Sequence, residues 1–86
     1  MKLENKVLVI TGAGNGMGRQ MTLEALSKGA KVFGVDLKPD ALAETAELAQ
    51  SQNFAFAVAN IAEREVVSQL PKTVIDKFGQ IDILIN

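Results

Sequence analysis

The chain has 86 residues, 48% of them apolar, with nine Lys or Arg against ten Asp or Glu and a formal net charge of −1. That apolar content argues against a disordered segment, and the near balance of charge offers no basic surface to nucleic acid or an anionic membrane. Cysteine, histidine, tyrosine and tryptophan are all absent, which excludes disulfides, thiolate or imidazole chemistry and a phenolic acid.

No apolar run reaches the ~20 residues of a membrane span. The opening residues, Met1 to Lys6, lack the apolar core of a signal peptide. The composition therefore reads as one small, soluble, cytoplasmic domain covering residues 1–86, with no metal site. Leu3 to Lys6 lead into the first element, and Asn5 is suited to a turn.

Val7 to Ile10 form an uncharged, β-branched run of the kind buried on both faces of a parallel sheet. The run passes into Thr11-Gly12, with further glycines at Gly14, Gly16 and Gly18, and a helical pattern begins near Gly16. A strand that empties through glycines into a helix brings backbone N–H groups and the positive end of the helix dipole up to an anion. The common G-x-G-x-x-G spacing, begun at Gly12, fails at Met17. What is present is T-G-x-x-x-G-x-G on Thr11, Gly12, Gly16 and Gly18.

This spacing resembles the cofactor loop of the classical short-chain dehydrogenase/reductase family. The resemblance implies a tight turn at Gly12, close backbone approach to a pyrophosphate at Gly16, and close helix-to-sheet packing at Gly18. It implies that Gly12, Asn15, Gly16, Met17 and Gly18 together hold the pyrophosphate of a dinucleotide.

The first helix carries Met17, Met21, Ala25 and Leu26 on one face and ends at Lys28-Gly29. The methionines read as core filler. The second strand, Lys31 to Asp36, finishes on a carboxylate 20 residues after Gly16. Dinucleotide-binding folds place there the acid that accepts the adenine-ribose hydroxyls. An acid at that point favours NAD over NADP, and Asn15, standing where NADP-preferring members often carry a basic residue, agrees. Lys38 lies close enough to soften the preference.

Pro39-Asp40 opens a second helix, with Asp40 suited to its N-cap. Leu42, Thr45, Ala46 and Ala49 fall on its inner face, and Glu44 and Glu47 on its outer one. After a polar turn at residues 51–53, Phe54 to Ala59 form a third strand with both phenylalanines on one side.

Asn60-Ile61 departs from the family pattern, which has an aspartate followed by a small apolar residue near the adenine amino group. The resemblance puts Asn60 and Ile61 at the adenine edge. The residues themselves also suit Asn60 as a helix N-cap, with Glu63 as capping-box partner. Both roles stay open.

A third helix is expected over roughly Ala62 to Phe78, with Val67, Leu70, Val74 and Phe78 as its inner stripe. Pro71 predicts a kink near residues 67–71 or two shorter helices. Ile81 to Ile85 form the fourth strand. The run F-G-Q-I-D-I-L-I-N at Phe78 to Asn86 is a second resemblance to the same family, in which it leads into Asn-Ala-Gly beside the nicotinamide.

The expected architecture is α/β: a Rossmann-like half-domain with a parallel four-stranded sheet in order 3-2-1-4 and three helices. Two helices should cover one face and the third helix the other. Relative to the family the domain is truncated, with no second domain. The family's catalytic Ser and Tyr-x-x-x-Lys lie beyond the fourth strand, so no catalytic residue is assigned. Ser27, Ser51 and Ser68 read as surface polar residues.

Three expectations follow. The chain is the NAD(H)-binding portion of an oxidoreductase of this type, inactive alone. It is one piece of a split oxidoreductase. Or it is an assembly module that forms a homodimer, through the Ile81–Ile85 edge or the thinly covered sheet face, without binding cofactor.

Overall fold

A computed structural model describes residues 2–86. The elements alternate: β1 (Val7–Thr11), α1 (Gly16–Ser27), β2 (Lys31–Asp36), α2 (Pro39–Ala49), β3 (Phe54–Val58), α3 (Arg64–Phe78) and β4 (Ile83–Ile85). The sheet is parallel throughout in the order β3-β2-β1-β4, as expected. In register, Leu8 stands opposite both Val32 and Ile83, and Ile10 opposite both Gly34 and Ile85. β1, like β2, thus has neighbours on both sides, and Val7 to Ile10 are all buried. That explains why it lacks the polar alternation of a half-exposed strand.

The strand's period of two sends its residues alternately into two cores. Leu8 and Ile10 join Val32, Ala25 and Leu42 under α1 and α2. Val7 and Val9 join Phe33, Val35 and Val74 under α3. Two helices therefore cover one face and one covers the other. β3 follows the same logic: Phe54 packs against the first cluster, and Ala55 and Ala57 lie against the second. The small residues thus face α3 and the large one faces α1 and α2. Asn5 takes a left-handed conformation (φ 64°) and donates its amide to the Gly29 carbonyl at 3.0 Å, joining the turn before β1 to the end of α1.

Several local expectations are corrected. Met17 is 77% exposed and is not core filler. It lies in the first turn of α1, beyond the sheet, and the inner face is taken by Thr22 and Ala25 instead. Asp40 is not the cap of α2. Pro39 takes a first-turn position, as its fixed φ favours, so Lys38 becomes the N-cap without a side-chain bond and Asp40 lies inside the first turn.

Asn60 does not cap α3 and forms no capping box. Its Oδ1 accepts the Ala62 amide at 2.9 Å and its carbonyl accepts the Glu63 amide at 3.0 Å, closing a turn before the helix, whose N-cap is Glu63. α3 runs through Pro71 as one helix and not as two. Leu70, Val74 and Phe78 all pack on the sheet and hold the turns around the proline together. Val67, expected in the stripe, is 40% exposed because nothing among the described residues covers that end of the face. β4 is shorter than expected, pairing only at residues 83–85.

Candidate functional site

The carboxyl ends of β1 and β2 open onto the glycine loop. Gly12 has φ +71° and Gly16 φ +53°, values that an L side chain rarely adopts, and a Cβ at either would meet nothing within 4 Å. These two glycines are required by conformation, and open space lies beside them. Gly14 and Gly18 are required by contact. A Cβ on Gly18 would overlap the Gly12 carbonyl, and one on Gly14 would come to 2.8 Å from the Ala41 Cβ. The loop is anchored at its start by Gly12 N–H, which donates to the Val35 carbonyl at 2.7 Å.

The first four N–H groups of a helix have no partner within it. In α1, Gly16 donates to Asn15 Oδ1 at 2.8 Å and Arg19 to the Asn15 carbonyl at 3.3 Å. Asn15 is therefore the N-cap of α1, a role that its place in the motif did not disclose. Met17 and Gly18 N–H find no acceptor among the described residues. Two free amides at the positive end of a helix, next to glycines that leave space, suit a phosphate group.

Asp36 stands at the end of β2, beside this loop. Its Oδ2 accepts the Gly14 amide at 2.9 Å, and its Oδ1 accepts those of Leu37 (2.7 Å) and Lys38 (3.3 Å). The carboxylate thus ties the glycine loop to the β2–α2 connection. Its own carbonyl accepts Ala59 N–H at 2.9 Å, which brings the end of β3, and with it Asn60, to the same rim. Ile61 is 49% exposed nearby in sequence and makes no polar contact.

An open cleft of about 550 Å³ runs along this rim, bounded by Gly14, Asn15, Arg19, Lys38 and Glu44 among others. Arg19, directly after the last glycine of the motif, was not anticipated as a site residue. Its guanidinium donates to the Gly14 carbonyl (2.6 Å), the Ala41 carbonyl (3.1 Å), Thr45 Oγ1 (2.9 Å) and Glu44 Oε1 (2.8 Å). Thr45, fully buried, donates in turn to the Ala13 carbonyl at 3.0 Å. Only the docking of α1 on α2 makes this cluster, and no local motif announces it. No group of three or more acidic, His or Cys side chains suited to a metal occurs among the described residues, and none of the described helices is long and apolar enough to cross a membrane.

A parallel β3-β2-β1-β4 sheet with a glycine loop between its central strand and the following helix defines a Rossmann-like α/β domain. The chain belongs to the short-chain dehydrogenase family, whose model matches residues 6–86. It is 35% identical over its whole length to the 3-oxoacyl-[acyl-carrier-protein] reductase FabG of Thermotoga maritima, of which it covers 36%.

Among solved structures, the glucose dehydrogenase of Caenorhabditis elegans in its apo-form superposes with a TM-score of 0.93 at 32% identity, covering all of this chain and 38% of that one. The 3-ketoacyl-(acyl-carrier-protein) reductase of Brucella melitensis complexed with NADH gives a TM-score of 0.89 at 34% identity, covering 95% of this chain and 34% of that one. The chain thus spans about a third of the length of the relatives it matches, and corresponds to their N-terminal Rossmann portion.

Proposed function

We propose that this chain is the NAD(H)-binding portion of a short-chain dehydrogenase/reductase. Gly12, Asn15, Gly16, Met17 and Gly18 receive the pyrophosphate, Asp36 the adenine ribose, and Asn60 with Ile61 the adenine edge. One observation carries the reading: the unpaired Met17 and Gly18 amides open beside Gly16, on the same loop that Asp36 grips through Gly14. The solved relative from Brucella melitensis is complexed with NADH, which agrees. Asp36 favours NAD, since a 2′-phosphate would be brought against its carboxylate.

A bound nicotinamide supplies the hydride. The residues of this chain hold and orient the adenine half, and since the 86 residues include no tyrosine or histidine, turnover requires groups from further polypeptide. That polypeptide is the rest of a longer chain or a separately supplied second piece. Calorimetric titration with NADH and NADPH tests the reading. Saturable binding that prefers NADH, and that weakens in Asp36→Ala with the circular dichroism spectrum unchanged, is the expected result. Equal binding by the variant would remove Asp36 from the site.

A second reading rests on a different observation. Ile61, Val67 and Leu84 are 49%, 40% and 62% exposed, and line an apolar trough of about 400 Å³ beside α3. β4 pairs on one side only. On this reading the chain is an assembly module that associates with a second copy through that face or edge. Sedimentation equilibrium distinguishes the two, because a monomer at high concentration that binds NADH excludes the second.

A further inference from the structure

Every side-chain hydrogen bond that Arg19 makes goes to α2 or to the glycine loop. We infer that Arg19 is a positioning residue for the dinucleotide phosphates, acting through the Gly14–Asn15 peptide. The inference rests on the nucleotide-binding reading above and adds to it the residue that presets the loop.

In a planar trans peptide the carbonyl and the following N–H point in opposite directions. No peptide among the described residues is cis. Arg19 Nη2 holds the Gly14 carbonyl at 2.6 Å, on the side of α2, because the same nitrogen also meets the Ala41 carbonyl at 3.1 Å. The Asn15 N–H is therefore turned away from α2, and it has no acceptor among the described residues. Asp36 fixes the amide on the other flank of Gly14 at 2.9 Å. The residue is thus held at both its N–H and its C=O.

Without the guanidinium, nothing retains the carbonyl on the α2 side. Rotation of this peptide would then turn the negative end of its dipole toward the bound phosphates, next to the free Met17 and Gly18 amides. A glycine at position 14 makes such rotation easy, since Gly populates both halves of backbone space.

The geometry around Arg19 is built rather than incidental. Its side chain is only 20% exposed. Thr45, its Nε acceptor, is fully buried and bonded to the Ala13 carbonyl, one residue before Gly14. Glu44 lies against Nη1 at 2.8 Å and offsets the charge. Only glycine at position 14 lets Ala41 approach so closely. Loop, guanidinium and α2 therefore form one unit, which sets the loop before any ligand arrives.

The test compares the unaltered chain with Arg19→Ala and the milder Arg19→Lys. NADH and adenosine, which lacks the phosphates, are titrated separately by NMR, and amide exchange at Gly14 and Asn15 is followed in the ligand-free protein. Arg19→Ala is expected to weaken NADH by about tenfold or more, the scale of one lost hydrogen bond to a charged group. Adenosine affinity stays within about twofold, inside the range of surface substitutions. Added methylguanidinium restores part of the NADH affinity, while the unchanged adenosine affinity separates a phosphate-directed loss from a general structural one. Arg19→Lys, with no fork to span the Gly14 and Ala41 carbonyls, falls between the two.

NADH affinity unchanged in Arg19→Ala, or equal losses for NADH and adenosine, would overturn the inference. An unaltered chain that binds neither ligand would instead overturn the nucleotide-binding reading. In that case the loop question is still decided, because unchanged exchange and chemical shift at Asn15, whose N–H belongs to the peptide that Arg19 holds, would show in Arg19→Ala that the guanidinium does not fix it.

Discussion

Val7 and Asp82 are joined twice: Asp82 Oδ2 accepts the Val7 amide at 2.8 Å, and the Asp82 amide donates to the Val7 carbonyl at 2.9 Å. The pair brings the start of β1 against the approach to β4, across 75 residues of sequence. The Val7 amide holds the Asp82 carboxyl below its ordinary value of 3.8, and the Gln80 side-chain amide at 2.7 Å and the Lys6 charge act in the same direction.

A carboxyl depressed by folding stabilises the native state fully above its unfolded pKa, and that contribution fades as pH falls through the folded one. Urea midpoints of the unaltered chain should therefore drop on going from neutral pH to about pH 3. Asp82→Asn should be less stable at neutral pH and lose less on acidification. Parallel pH curves for the two proteins would mean that the carboxylate does not hold β4.

The two ways in which glycine is needed in the loop separate by substitution. Gly12→Ala meets no neighbour and incurs only the left-handed penalty, about 1 kcal/mol. Gly18→Ala drives a methyl into the Gly12 carbonyl and displaces α1, with a cost of about 2–3 kcal/mol. Denaturant unfolding should rank the variants in that order.

Gln50 closes α2 in a left-handed conformation (φ 45°) while its amide donates to the Ala46 carbonyl at 3.0 Å. Its side chain is exposed. Gln50→Gly keeps the amide bond and removes the strain, so the midpoint should rise by the equivalent of about 0.5–1 kcal/mol.

Two leucines at opposite extremes of exposure make a further contrast. Leu42 is fully buried on the inner face of α2, and Leu42→Ala should cost about 2–5 kcal/mol through the cavity it leaves. Leu84 is 62% exposed, and Leu84→Ser should stay within about 0.5 kcal/mol. If copies associate through β4, sedimentation of Leu84→Ser should shift toward the monomer.

Much of this fold was legible because its signals are local or depend on strand period. The uncharged run at Val7 to Ile10 and the glycine spacing placed β1, the loop and α1. Crossover handedness then set the strand order. Helix starts were harder, since Pro39 competes with Asp40 for the same turn, and Asn60 satisfies a nearer amide before α3 can use it. Met17 shows the limit of helical periodicity: its angular position is the inner one, but the first turn projects past the sheet. The hydrogen bonds of Arg19 and Thr45 were invisible for another reason. Most of their partners lie 22 to 32 residues away along the chain and meet only when α1 docks on α2. Ala55 and Ala57 alternate with the two phenylalanines, so strand period alone sets them on the opposite face, whereas Val67 required knowing what lies beyond that end of the face.

The central place of β1 has a consequence for the order of events at the ribosome. Of these four strands, the one translated first acquires its second neighbour only when residues 83–85 emerge. Until then, one side of an uncharged, largely apolar strand is open while β2 and β3 are already available on the other. A nascent chain paused before Ile83 would display that side to any extended segment nearby, so slow elongation through residues 60–82 favours capture by a chaperone or mispairing with a neighbouring nascent chain.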